Sequence, residues 1–276
     1  MTMVRANGIE LHVQRLDPAG PAPVGRTGPT PTAVLIHGMA SDTMASWYFT
    51  MAEPLSRAGF PTVLYDLRGH GRSDRPATGY ALDDFVDDLA ALLVELDVTG
   101  PLLLLGNSFG GTIAFGYAAR HPDRVAGIVA VESSPPTPEW MSRVRMRLER
   151  VAARLPREGA LAEIGAARGR IAARRAADTG RMLADTTLAA ELPASRLPAR
   201  DAIAAIACPV LCLYGGDSAV GELAPAVRGL LPQTRVVVLP DQKHSVLIDR
   251  PDSVRRHVLA WLGEECGIEV APPVTT

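Results

Sequence analysis

The chain has 276 residues, 47% hydrophobic and 21% charged, which suffices for one sizeable core and lies far from disordered or collagen-like compositions. A formal charge of -2 and a pI near 6.3 exclude the general basic surface that gathers nucleic acid or anionic lipid, so a small molecule is the expected partner, with no nucleic acid and no membrane. Met1-Thr2-Met3-Val4-Arg5 opens without an apolar leader, no run approaches the ~20 apolar residues that span a bilayer, and Cys208, Cys212 and Cys266 lack metal-ligand spacing. A cytoplasmic protein with reduced thiols is expected, Cys208 and Cys212 flanking one buried strand.

In chain order, Asn7-Gly8 is a two-residue turn signal between Val4-Arg5 and the alternating Ile9-Glu10-Leu11-His12-Val13, which predicts a hairpin over 3–16. A Pro- and Gly-rich loop follows over 17–31. From Ala33 onward short apolar runs alternate with longer amphipathic stretches, the signature of βα repeats over a mostly parallel sheet. The runs at 33–36, 61–65, 102–105, 125–131, 210–214 and 236–239 are uninterrupted and rich in Val, Ile and Leu, as strands buried on both faces are. Helices are predicted over 47–58, 82–96, 109–120, 222–231 and 251–262, the second opening with Asp83 and Asp84, carboxylates suited to a helix N-terminus.

Between Ser133 and Arg200 no strand is predicted; Pro135, Pro136 and Pro138 lead into Arg/Ala/Leu-rich sequence of helical period. The expected organisation is an α/β core over 1–134 and 201–265, an inserted helical cap over 135–200, and a tail over 266–276. Residues 143–200 hold thirteen Arg against six Asp plus Glu, a balance of +7, which leaves -9 for the rest of the chain given the total of -2.

Gly106-Asn107-Ser108-Phe109-Gly110-Gly111 sits between an apolar strand and a helical pattern, the context a G-x-S-x-G nucleophile turn requires. A strand bending sharply into a helix exposes the hydroxyl of Ser108, and glycines at 106 and 110 remove side chains that would collide across the bend. A serine alcohol needs a base, and the base needs an acid to hold its tautomer. Of the six histidines, His12 lies in the hairpin, His121 follows a helix and His257 sits within the last one; His244, in a loop beyond a late strand, is the expected base. Asp217 in Tyr214-Gly215-Gly216-Asp217 lies just past a strand end and falls in the order Ser, Asp, His, so it is the expected acid; Glu132, at the end of the preceding strand, is its competitor. Asp241 and Asp249 are expected to cap or pair within the loop around His244. His37-Gly38-Met39 ends the first core strand, and the amides of Met39 and Phe109 are the expected oxyanion hole, with His37 as a structural side chain bonded to backbone. The loop Asp66 to Asp74, with Gly69 and Gly71 around His70, reads as one whose charges tie neighbouring turns together.

These features, taken in order over roughly residues 3–265, resemble the α/β-hydrolase superfamily. The elbow is similar to that of meta-cleavage-product carbon–carbon hydrolases, which combine it with a helical cap, although Ser245 stands where those enzymes usually carry an aromatic residue. Epoxide hydrolases and haloalkane dehalogenases share the fold but use an elbow aspartate, a role closed to Ser108. The expectation is a serine hydrolase of an ester, thioester or lactone acting through an acyl-enzyme, with no metal or organic cofactor. A carbon–carbon bond hydrolase acting next to a ketone, and an inactive binding protein on the same scaffold, are the rivals. An anionic or carrier-linked substrate under the arginine-rich cap is a variant, weighed against the chain's general use of Arg, with one Lys among 28 basic residues.

Overall fold

The computed structural model describes residues 1–23 and 28–265; Cys266 and the tail over 266–276 lie outside the described residues. Asn7 and Gly8, both at positive φ, turn β1 (Thr2–Ala6) back against β2 (Ile9–Leu16). The sheet continues through β3 (Thr32–Ile36), β4 (Thr62–Tyr65), β5 (Leu102–Asn107), β6 (Val125–Val131), β7 (Val210–Gly215) and β8 (Thr234–Leu239), in the order β1-β2-β4-β3-β5-β6-β7-β8. β1–β2 and β2–β4 pair antiparallel, and every pairing from β4 across to β8 is parallel.

Side chains alternate across such a sheet, so a strand apolar at every position must feed two cores. Val34 and Ile36 of β3 with Leu102 and Leu104 of β5 enter one core; Ala33, Leu35, Leu103 and Leu105 enter the other. The second face is covered by the helical run α1 (Ala45–Trp47) and α2 (Glu53–Arg57), through Trp47 and Leu55. The first is covered by α3 (Leu82–Glu95) and α4 (Phe109–Arg120), through Phe85, Leu89, Ile113 and Phe115. β8 departs from the expectation of burial on both faces, with Val238 54% exposed, because it is the outermost strand and only β7 flanks it.

The helix predicted over 47–58 is broken by a π-helical turn, Tyr48–Ala52. Pro54 at the head of α2 has no N–H to return to the preceding turn, and the carbonyl of Thr50 accepts instead from Arg255 Nη2 at 3.4 Å.

Between β6 and β7 the chain forms α5 (Pro138–Arg154), α6 (Ala160–Arg168), α7 (Arg170–Asp185), α8 (Leu188–Glu191) and α9 (Arg200–Ala204), with no strand among them. This helical segment is tied to the sheet layers at both ends. Trp140 Nε1 donates to Thr112 Oγ1 of α4 at 2.6 Å, Glu191 accepts from the amides of Gly79 and Tyr80 at 2.9 and 2.6 Å, and Ser195 Oγ accepts from the Leu82 amide at 2.8 Å. The last strands are followed by α10 (Ala224–Leu230), α11 (Val246–Asp249) and α12 (Pro251–Glu265); Val254, Val258 and Trp261 of α12 join the second core. Cys212 on β7 is fully buried, which pushes its thiol up to about 12, and Cys208 is partly buried just before that strand.

Candidate active site

Strand order reverses where β3, flanked by β4, meets β5; loops leaving the C-terminal ends of adjacent strands diverge there and leave a crevice. The segment His37 to Met44 leaves β3 at that point and Ser108 leaves β5. Ser108 has φ 51° and ψ -118°, an unfavourable backbone for a residue with a Cβ, and it is retained because both sides of the bend are pinned. Its amide donates to Val131 O at 2.8 Å and its carbonyl accepts from Gly111 N at 3.0 Å. A Cβ at Gly106 would fall 2.2 Å from Gly111 N, and one at Gly110 would fall 2.1 Å from Ile36 O, so neither position admits a side chain without moving backbone.

Ser108 Oγ and His244 Nε2 are 3.1 Å apart, and His244 Nδ1 lies 2.9 Å from Glu132 Oε2. A proton on Nδ1, donated to Glu132, leaves the Nε2 lone pair facing the serine hydroxyl, the tautomer a base needs. Glu132 is completely buried, at φ 53°, and also accepts from the Gly215 amide and the Ser218 hydroxyl. Its own amide is held by Leu213 O at 2.8 Å.

The acid beside His244 is therefore Glu132, and the expectation of Asp217 is corrected. Asp217 is exposed, and its amide donates to Gln242 O at 2.9 Å. The turn after β7, closed by Ser218 N to Gly215 O at 3.1 Å, directs an amide and a hydroxyl at the neighbouring strand's carboxylate and turns its own acid away. The longer Glu side chain spans the distance from β6.

The remaining expected positions divide similarly. Gly38 closely approaches the elbow: a Cβ there would stand 3.2 Å from Ser108 Cβ. Among the described residues neither the Met39 nor the Phe109 amide meets an acceptor. His37 is bonded to backbone as expected, Nδ1 to Gly38 O at 2.7 Å and Nε2 to the Leu67 amide at 2.9 Å. His70, buried, bonds Arg68 O through Nδ1 at 2.8 Å and accepts from the Ala40 amide through Nε2 at 3.1 Å; desolvation, with His37 beside it, pushes its pKa down to about 3. Asp66 accepts from the amides of Met44 and Arg72 at 2.9 and 3.1 Å and meets His12 Nδ1 at 2.8 Å, so the loop over 66–74 does tie neighbouring turns together.

Residues 31–251 match the family described as the alpha/beta hydrolase fold. The chain belongs to this family. Among curated α/β-hydrolase relatives, it is 36% identical over 115 residues to 2-(acetamidomethylene)succinate hydrolase of Mesorhizobium japonicum, the match covering 41% of this chain and 39% of that protein. It is 39% identical over 124 residues to lipase LipV of Mycobacterium tuberculosis, covering 45% of this chain and 42% of the lipase. The aligned stretches thus span less than half the length of either relative. Among solved structures, a thermophilic esterase from Thermogutta terrifontis, with malate bound, superposes at a TM-score of 0.72 with 25% identity, covering 96% of this chain and 99% of that one.

Several groups at this α/β-hydrolase site escaped the sequence reading. Asp42 Oδ2 accepts from the Gly38 amide at 2.7 Å and from Asn107 Nδ2 at 3.0 Å, joining the loop after β3 to the elbow. A cleft of about 530 Å³ opens over Ser108 and His244, and it is lined also by Phe49, by Ile248 and Asp249 of α11, and by Arg147 and Arg175 of the helical segment. Asp249, expected to cap or pair within the loop around His244, borders this cleft. Only tertiary placement selects two arginines from thirteen. Among the described residues no group of three or more His, Cys, Asp or Glu is placed to hold a metal ion, and no helix is long and apolar enough to cross a membrane.

Proposed function

We propose that this chain is a serine hydrolase that cleaves an ester, thioester or lactone of a small organic substrate through an acyl-enzyme, with Ser108, His244 and Glu132 as its working groups. The observation that carries this reading is the pair of contacts at His244, 3.1 Å to Ser108 Oγ and 2.9 Å to Glu132 Oε2. Ser108 Oγ adds to the substrate carbonyl carbon as its proton passes to His244 Nε2. The resulting imidazolium is stabilised by the buried carboxylate of Glu132, and the oxyanion by the amides of Met39 and Phe109, each worth about 3 kcal/mol in such sites. The His244 proton leaves with the departing alcohol or thiol, and the acyl group stays on Ser108. A water then gives a proton to His244 and attacks the same carbon, and Ser108 recovers its proton as the acid departs. The helical segment over 135–200 acts in this reading as a lid across the cleft.

Membership of the α/β-hydrolase fold family and the likeness to an esterase support hydrolysis as the reaction class; the substrate follows from neither. The test is turnover of p-nitrophenyl esters, an acyl thioester and a vinylogous diketone, together with labelling by a fluorophosphonate. Ester or thioester turnover, with a label lost in Ser108→Ala, is the expected outcome. Preferential cleavage of the diketone would instead favour carbon–carbon hydrolysis, and an unlabelled, inactive protein would return the chain to a binding role.

A further inference from the structure

The charged lining of the cleft over Ser108 consists, apart from His244, of Asp42, Asp249, Arg147 of α5 and Arg175 of α7. Asp42 is already engaged, its Oδ2 accepting from Gly38 and Asn107 and its Oδ1 from the Thr43 amide at 2.9 Å. Many of the segment's other arginines face carboxylates: Arg143 meets Glu139 and Glu222, Arg145 meets Glu149, Arg154 and Arg157 meet Glu163, and Arg181 meets Asp178. Arg147 and Arg175 meet no carboxylate among the described residues, although both border the cleft. Both guanidinium groups are exposed along the cleft wall, Arg147 within the electrostatic reach of Glu132, and a guanidinium remains charged at any working pH. Two guanidinium groups that no carboxylate contacts, on the wall of the cleft that holds Ser108, leave charge-assisted donors open to an anion entering it. A neighbouring hollow of about 240 Å³ shares Ser41, Asp42 and Arg175 with the cleft and is bordered also by Arg75, Arg174 and Asp178, so three arginines face two carboxylates there.

We infer that this cleft takes an acyl substrate bearing a carboxylate, which Arg147 and Arg175 hold while Ser108 attacks the carbonyl. The inference deepens the hydrolase reading and, as far as turnover is concerned, rests on it. The apolar Phe49 and Ile248, 79% and 55% exposed on the same lining, suit the chain between the two functional groups.

The test compares mono-p-nitrophenyl adipate with its methyl ester, a pair differing in charge and one methyl group, in which the carboxylate is too distant to form a five- or six-membered anhydride unaided. The expected result is a kcat/KM for the half-ester at least about tenfold above that for the methyl ester, the scale of a charge-assisted contact. That ratio should fall toward one in Arg147→Gln and in Arg175→Gln, mainly through KM, and recover in part in Arg147→Lys. It should also fall with added salt in the unmodified protein, which keeps the test valid should a variant fail to fold. Equal turnover of the two esters, or a preference surviving both substitutions, would overturn the inference.

If neither ester is turned over, the hydrolase reading has failed, and the anion site is judged separately by calorimetric titration of the full chain with adipate. Binding that weakens at least about tenfold in Arg147→Gln supports the site; absence of binding overturns it. Inorganic phosphate binding as tightly as adipate would also overturn it, since the arginines would then be a general anion cradle.

Discussion

Gly215 donates its amide proton to Glu132, so the end of β7 supports the carboxylate just past β6 that in turn faces His244. Ser218 adds a second donor from the same turn. Mutations at these positions should therefore separate an acid from its supports. Glu132→Gln is expected to lower kcat by about 10³ to 10⁴, the scale seen when such an acid loses its charge and the imidazole its tautomer, whereas Asp217→Asn should stay within about threefold. Ser218→Ala removes one hydrogen bond of the three at Glu132 and should cost about ten- to a hundredfold, the range for a hydrogen bond to a charged group. Ester turnover by the three variants side by side checks the order, and a larger loss in Asp217→Asn than in Glu132→Gln would reverse the assignment.

Ser108→Ala should reduce the rate constant by about 10⁴ to 10⁶ while leaving the fold intact. Thermal unfolding followed by circular dichroism, run beside the kinetics, checks both halves. An alanine at this strained φ relieves nothing, since the backbone conformation is disfavoured for any side chain, so Tm should hardly change.

The elbow and the strands that carry it were legible because their signals are local. Glycines at 106 and 110, a strand rich in leucine and a helix starting at Phe109 all lie within one short stretch. The acid was not decided locally. Both Glu132 and Asp217 follow strands, and what separates them is the turn closed between Gly215 and Ser218, a conformation that no side-chain pattern announces. Arg147 and Arg175 were hidden for a related reason: helical period gives α5 and α7 a face, but their position over Ser108 depends on how the segment docks. His37, His70 and Asp66 each act by holding backbone, and a polar residue at a strand end reads the same from sequence whether it holds a loop or a substrate.

His70 predicts a pH effect. Its folded pKa of about 3 lies below the ordinary 6.5, so folding favours the neutral ring. That stability is fully present above pH 6.5 and is lost as pH falls from there toward 3, at on the order of 1 kcal/mol per pH unit. Tm measured from pH 7 to pH 4 should fall less steeply in His70→Gln than in the unmodified chain. Because His70 also accepts from the Ala40 amide, next to Met39, His70→Gln should lower kcat more than it raises KM, by about tenfold, through a misplaced oxyanion donor. Parallel acid limbs in the two proteins would show that His70 is not the group responsible.

Gly110→Ala should be far more damaging than its size suggests. The added methyl would stand 2.1 Å from the carbonyl oxygen of Ile36, and because backbone lies on both sides of that contact, no rotamer change relieves it. A loss of about 1 to 3 kcal/mol or more is expected, seen as a lower midpoint in urea with an unchanged slope. Gly229, where an added Cβ meets nothing within 4 Å, is the control: Gly229→Ala, inside α10, should be neutral or stabilising.

The docking of the helical segment can be tested at the 2.6 Å contact between Trp140 Nε1 and Thr112 Oγ1, two buried side chains. Thr112→Val keeps the shape and removes the acceptor, leaving an indole N–H unpaired in the interior at a cost of about 1 to 3 kcal/mol. Trp140→Phe in that background removes the stranded donor as well, so the double variant should lose less stability than the two single losses added together. The same contact holds the start of α5, and Arg147 lies on that helix. Amide exchange over residues 138–154 should therefore quicken in Thr112→Val, and the half-ester preference should weaken with it, since a displaced α5 carries its guanidinium away from Ser108. Exchange that quickens while the preference stays intact would mean that the position of Arg147 does not depend on this anchor.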